Sequence, residues 1–153
     1  MDLILWRHAH AEDADAEGED LDRVLTGRGE KEAARMGAWL DRRLPEGTKV
    51  LCSPARRCEQ TVLALGRKYK LSEALAPDGE VDPLLALAQW PDARQHVVLV
   101  GHQPTLGRTV AKLLELPGGE CPVRKGGLWW LRRRDRDGEP QTVVVAVMTP
   151  ELA

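Results

Sequence analysis

The sequence predicts an α/β domain on a mostly parallel sheet, and two patterns predict it. Three short apolar runs, "LILW" before Arg7, "KVLC" before Ser53 and "VVLV" before Gly101, stop abruptly and lead into stretches with helical patterning. That is the pattern of strand-then-helix units sharing one sheet. Near the C-terminus, "GLWWLRRRDRDGEPQTVVVAVM" reads as two strands around Asp137-Gly138. Such a dipeptide suits a tight hairpin, which adds an antiparallel strand to the parallel set.

The elements follow in chain order. After the first run, Thr26 is placed to cap a helix over residues 27–43, with Ala33, Met36, Gly37 and Leu40 forming one apolar stripe. Ser53 is placed as an N-cap and Pro54 at the first helical position, opening a helix to about Tyr69. "ALAPDGEVDPLLALAQW" reads as a short extended piece and then a short helix beginning near Pro83. The third run leads through "HQPT" into a helix to about Leu116, which Pro117 and two glycines end. Trp129 and Trp130 read as strand packing. No repeat and no linker divides the chain, so residues 1–153 are expected to form one domain.

Composition narrows the function. Lysine and arginine number 22 against 24 acidic residues, and the net charge of -2 gives no general attraction to nucleic acid or to anionic lipid. The three cysteines form no CxxC pair, which argues against a disulfide framework or a zinc ribbon and suits a reducing compartment. No basic region precedes a long apolar stretch and no window is long and apolar enough to span a bilayer, so a soluble cytoplasmic protein is expected. Residues 11–22, "AEDADAEGEDLD", carry seven acidic residues and no basic one, the composition of an exposed loop.

Chemistry concentrates where the three runs end. Open α/β sheets bind ligands beyond the carboxyl ends of their strands. Arg7-His8, the turn from Ser53 to Arg57 and His102 all fall at such ends. Arg57, four residues after Ser53, lies one turn into its helix and can point back toward its start. Two guanidinium forks match the charge and shape of a phosphoryl group, and an imidazole kept neutral beside them can attack phosphorus. The same arginines would stabilise the charge in transfer.

The same residues admit rival chemistries. A cysteine-dependent phosphatase needs an arginine six positions after its cysteine, and Cys58, Ala64 and Gly127 stand there instead. Asp13-Ala14-Asp15 lies well past the strand end, and no Walker loop is present. His8-x-His10 could supply two metal ligands, but that motif belongs after the first strand of a larger barrel than 153 residues can build. A phosphate-binding module without turnover would use the same residues as an enzyme.

Four motifs together, "LWRHA", "LTGRG" at residues 25–29, "CSPARRCEQT" at 52–61 and "VVLVGHQPTLG" at 97–107, look like the signatures of the histidine phosphatase superfamily. Their order and spacing resemble the small SixA-like phosphohistidine phosphatases. The resemblance spans residues 1 to about 116. It implies a three-layer α/β/α sandwich of the phosphoglycerate mutase-like type, with His8 as phosphoryl acceptor, Arg7 and Arg57 binding phosphate, and His102 completing the pocket. Of the adjacent arginines the motif selects Arg57 over Arg56. Arg23, in "DRVLT", matches an arginine often found before "LT" in SixA-like chains and is a candidate for the pocket rim. Larger members place a proton-donating acid between the second arginine and the second histidine, where this chain has Asp78, Glu80 and Asp82; Glu80 is the first of these to test.

The resemblance implies neither a cofactor nor a metal and leaves the oligomeric state open. The implied substrate is phosphohistidine on a signalling or phosphotransfer protein, with a small phosphorylated metabolite as the alternative. The short interval between Arg57 and His102 lacks room for the lid of metabolite-specific relatives, which implies an open pocket. Two departures stand out. Ala9 replaces the glycine of the usual RHG, leaving the backbone after His8 less freedom, although small SixA-like chains often read RHA. His10 is unexpected and is read as reaching the pocket edge or facing solvent.

Overall fold

In the computed structural model, which describes residues 1–153, alternate residues of the first strand face two different cores. β1 (Asp2–Arg7) sends Ile4 and Trp6 to one side and Leu3 and Leu5 to the other. This is the two-fold alternation of a strand buried on both faces. β2 (Lys49–Cys52), β3 (Lys70–Leu71), β4 (Val97–Gly101), β5 (Leu128–Arg136) and β6 (Glu139–Met148) complete a sheet in the order β3-β2-β4-β1-β5-β6. The strands from β3 to β1 are parallel, and β5 and β6 are antiparallel. α1 (Gly27–Asp41) and α2 (Arg56–Leu63) cover the Ile4–Trp6 face through Met36, Leu40, Cys58 and Val62. α3 (Val81–Leu87) and α4 (Thr105–Leu113) cover the other through Leu84, Leu106 and Val110. The expected three-layer α/β/α architecture with an antiparallel part is the one observed.

Local chemistry explains most element ends. Thr26 caps α1 as expected, its hydroxyl accepting from the Gly29 amide at 3.0 Å. At the hairpin, Asp137 (φ 52°) and Gly138 (φ 81°) both take the left-handed backbone that a two-residue turn between twisted strands requires. Trp130 sits in the α1 side core with its indole N–H on Asp2.

Four boundaries differ from expectation. Ala55, not Ser53, is the N-cap of α2, because the Ser53 hydroxyl is engaged by the Ala55 amide (3.2 Å) and by His102 (2.8 Å), leaving Pro54 ahead of the helix. α2 also ends at Leu63 rather than near Tyr69: the amides of Ala64, Leu65 and Gly66 each bond three residues back, and Gly66 (φ 74°) turns the chain away. α4 stops at Leu113, before Glu115 at φ 54°. The extended piece expected just before α3 lies earlier, as β3, while α3 starts at Val81 with Pro83 in its first turn, where its missing N–H costs nothing.

Candidate active site

The register of the parallel strands brings three loops to one place. Arg7 pairs with Gly101 and Cys52 with Val100, so β1, β4 and β2 end side by side. The His8 amide donates to the Gly101 carbonyl and the Ser53 amide to that of Val100. The chain segments carrying Arg7-His8, Ser53–Arg57 and His102 therefore leave the sheet as neighbours.

His8 is buried, and its Nδ1 lies 2.8 Å from the carbonyl oxygen of Ala9. A carbonyl can only accept, so Nδ1 carries the proton and the lone pair is on Nε2. Burial, followed by the positive charges of Arg57, Arg7 and Arg23, holds the His8 pKa down to about 4, against the pull of the Ala9 contact. The ring is therefore neutral at pH 7. His102 lies beside it, ring centroids 5.3 Å apart. The Nη2 of Arg57 can only donate, so the 3.3 Å contact makes His102 Nδ1 an acceptor and leaves Nε2–H to donate to Ser53 Oγ at 2.8 Å. Burial and Arg57 lower the His102 pKa to about 3.

Arg57, 3% exposed, is held from outside: Nη1 donates to the Asp20 carbonyl at 2.8 Å and Nη2 to the Asp20 carboxylate at 3.1 Å. Arg56, its neighbour, is exposed. Arg7 is anchored through Nη1 to the Val123 carbonyl at 2.8 Å. Across the whole molecule, the only buried side-chain nitrogens or oxygens without a partner are Arg7 Nε and Arg57 Nε. An unmet buried donor costs about 1–3 kcal/mol, and both such donors belong to guanidiniums whose positive charge acts on His8.

The motif residues outside this cluster have mechanical reasons. A Cβ on Gly29 would overlap the His10 carbonyl, so only glycine lets α1 start against the strand end. Gly107 is crowded by the Cys121 carbonyl, which Gln103 also grips at 3.0 Å. These two residues of "HQPTLG" thus seat the turn that follows. That turn supplies the Val123 acceptor to Arg7, the Gly127 carbonyl to the Arg7 amide and the Gly126 amide to the His8 carbonyl. Ala9 has no left-handed φ, so glycine is not required there; its amide donates to Thr61 Oγ1 at 3.1 Å.

The remaining expected residues separate. Arg23 stands at the edge, its Nη1 on Asp20 at 3.0 Å and its Nε on the Glu12 carbonyl at 2.7 Å. Glu80 is exposed at the start of α3 and its side chain bonds to no member of the cluster; the carboxylate that reaches the cluster is Asp20. The His10 ring turns to Thr26 Oγ1 at 2.8 Å, away from a shared ligand set with His8, and no group of three or more His, Cys, Asp or Glu side chains gathers as a metal site. Sequence reasoning missed Asp20, Ser53 as a partner of His102, and the Val123 carbonyl. The Asp20-to-Arg23 spacing of three and the serine in "CSP" were usable signals; a backbone carbonyl leaves none.

A pair of neutral imidazoles thus stands beside two buried arginines at the strand ends, and the chain belongs to the histidine phosphatase superfamily, branch 1, whose family model matches residues 3–78. It is a phosphatase of the SixA-like kind in sequence and fold. Phosphohistidine phosphatase SixA of Escherichia coli is 32% identical over 80% of this chain and 78% of its own length. An uncharacterized protein of Picosynechococcus is 35% identical over 86% of this chain and 85% of its own. The structure of the protein histidine phosphatase SixA complexed with tungstate superposes with a TM-score of 0.77 at 28% identity, covering 99% of both chains. No helix is long and apolar enough to cross a membrane.

Proposed function

We propose that this protein removes the phosphoryl group from phosphohistidine displayed on another protein, using His8 as nucleophile and no metal. The observation that carries the reading is the pair of unpartnered Nε donors on Arg7 and Arg57 beside an imidazole whose Nε2 lone pair is free. A tetrahedral oxyanion between the guanidiniums accepts both donors. Tungstate, bound in the SixA neighbour, has that shape and charge.

The reaction then runs in two displacements. His8 Nε2 attacks phosphorus in line, the bond from phosphorus to the substrate nitrogen breaks, and the departing imidazole takes a proton from water. Water next attacks the phosphoryl group on His8, the phosphorus–Nε2 bond breaks, and phosphate leaves with His8 neutral again. Arg7 and Arg57 stabilise the equatorial oxygens in both steps. Protonated imidazole leaves readily, so the step asks little of an acid, consistent with Glu80 standing apart.

A protein-borne substrate is favoured by the modest elements between α2 and β4, which place only β3, a 3-10 turn and the seven-residue α3 there. The sequence relative from Escherichia coli carries the same named activity. The deciding experiment compares turnover of a phosphohistidine protein, a phosphoserine peptide and a sugar phosphate, with His8→Ala as control and acid-labile phosphoenzyme trapped by rapid quench. Preference for phosphohistidine with a phosphoenzyme that His8→Ala lacks is expected. Near-normal turnover by His8→Ala, or preference for the sugar phosphate, would overturn the reading.

A further inference from the structure

Beyond the pocket, a charged groove runs from His10 across the outer face of α1. Two adjoining depressions of about 490 and 390 Å³ share Arg28, Glu32, Arg124 and Glu151, and the second reaches His10, two residues from the nucleophile. Two of its cations are internally neutralised, Arg28 by Glu32 (3.8 Å) and Arg124 by Glu151. Lys31 and Arg35, one helical turn apart, and Lys125 have no carboxylate partner. All three are exposed. A chain with net charge -2 thus carries a concave surface with three uncompensated positive charges.

This groove is mechanically continuous with the site. The turn that bears Arg124 and Lys125 also supplies the Val123 carbonyl to Arg7 and the Gly126 amide to the His8 carbonyl. At the other end, Glu32 accepts the His10 amide at 3.0 Å. The groove is thus tied by hydrogen bonds at both ends to the segment His8–His10.

We propose that the groove docks a carboxylate-rich segment of the protein that carries the phosphorylated histidine; the inference rests on the phosphatase reading above. Charge complementarity selects an anionic partner. The acidic loop 11–22, which follows His10 in the chain and whose Asp20 reaches Arg57, adds seven carboxylates that disfavour a polyanion extending beyond the groove, such as nucleic acid. A folded or peptide partner can confine its carboxylates to the groove side.

The test uses two synthetic phosphohistidine peptides, one flanked by glutamates and one by lysines, with p-nitrophenyl phosphate as the small probe. The glutamate peptide should show kcat/KM roughly tenfold above the lysine peptide at low salt, shrinking at about 0.5 M NaCl. Lys31→Glu/Arg35→Glu should abolish or invert that preference, Lys31→Gln/Arg35→Gln should halve it or more, and both should leave p-nitrophenyl phosphate turnover unchanged. Fluorescence anisotropy of the unphosphorylated peptides on the His8→Ala protein reads docking without chemistry. Equal use of the two peptides, or a preference untouched by the α1 variants, would overturn the proposal. A labelled oligonucleotide bound as tightly as the glutamate peptide would also overturn it. Selective binding of the glutamate peptide without turnover of either phosphopeptide would instead sink the phosphatase reading and leave the docking surface standing.

Discussion

Arg132 and Arg57 are the same side chain put to opposite uses. On β5, Arg132 closes its fork on a buried carboxylate, Nε to Asp2 Oδ1 at 2.8 Å and Nη2 to Asp2 Oδ2 at 2.9 Å. Asp2 is further satisfied by Trp130 Nε1, and these bonds outweigh burial to hold its pKa below the usual carboxylate range. At the strand ends, Arg57 is gripped by its two terminal nitrogens and keeps Nε free, and Arg7 does the same with one. A fork satisfied by the fold is a fastener. A buried fork with one donor unpaired within the protein keeps a hydrogen bond in reserve.

Mutations that separate the two kinds of fork put this contrast at risk. His8→Ala should lower turnover by about 10³-fold or more with the fold intact. Arg57→Ala should cost about 10²–10³-fold in kcat/KM and weaken inhibition by phosphate, while Arg56→Ala stays within about twofold; comparable losses in the two variants would erase the distinction between buried and exposed arginine. Asp20→Ala should cost about tenfold by loosening Arg57 and Arg23 together, with Asp20→Asn recovering part of the loss. Arg132→Ala should leave kcat/KM alone and destabilise the fold by roughly 1–2 kcal/mol in urea titration, because it removes the guanidinium fork and leaves the buried Asp2 carboxylate to Trp130 Nε1.

The smallest response should come from pH near neutrality. With His8 held at about 4 and His102 at about 3, neither ring in the empty enzyme takes up a proton between about pH 7.5 and 5.5, as NMR titration would read. Both values lie below the ordinary 6.5, so the unfolded chain binds these protons first. Their contribution to stability is complete above pH 6.5 and is lost as pH falls through about 4. Rising stability on acidification across that window would contradict the burial of the pair.

Which features the sequence disclosed follows from what side chains can advertise. Apolar runs and the Asp137-Gly138 turn exposed the sheet, because alternation and left-handed backbone demand particular residue types. His8, Arg7, Arg57 and His102 were legible because strand ends, short spacings and a resemblance converged on them. Asp20 was not, since one carboxylate among seven in the loop is chosen by where the loop folds back. Ser53 was assigned to a helix start when its hydroxyl is spent on His102, and helix lengths ran long because tight last turns leave a weak imprint on composition. Glu80, chosen on the pattern of larger relatives, stands exposed at the start of α3.

The grip of Val123 on Arg7 joins residues 116 positions apart. The carbonyl that holds this guanidinium, and the glycines that follow it, thus belong to a segment remote in sequence from the strand they complete. β5 runs antiparallel to β1, and that reversal is what returns a late segment to the mouth of an early one. The setting of Arg7 and His8 is therefore incomplete until the turn at 121–127 has folded back onto the end of β1.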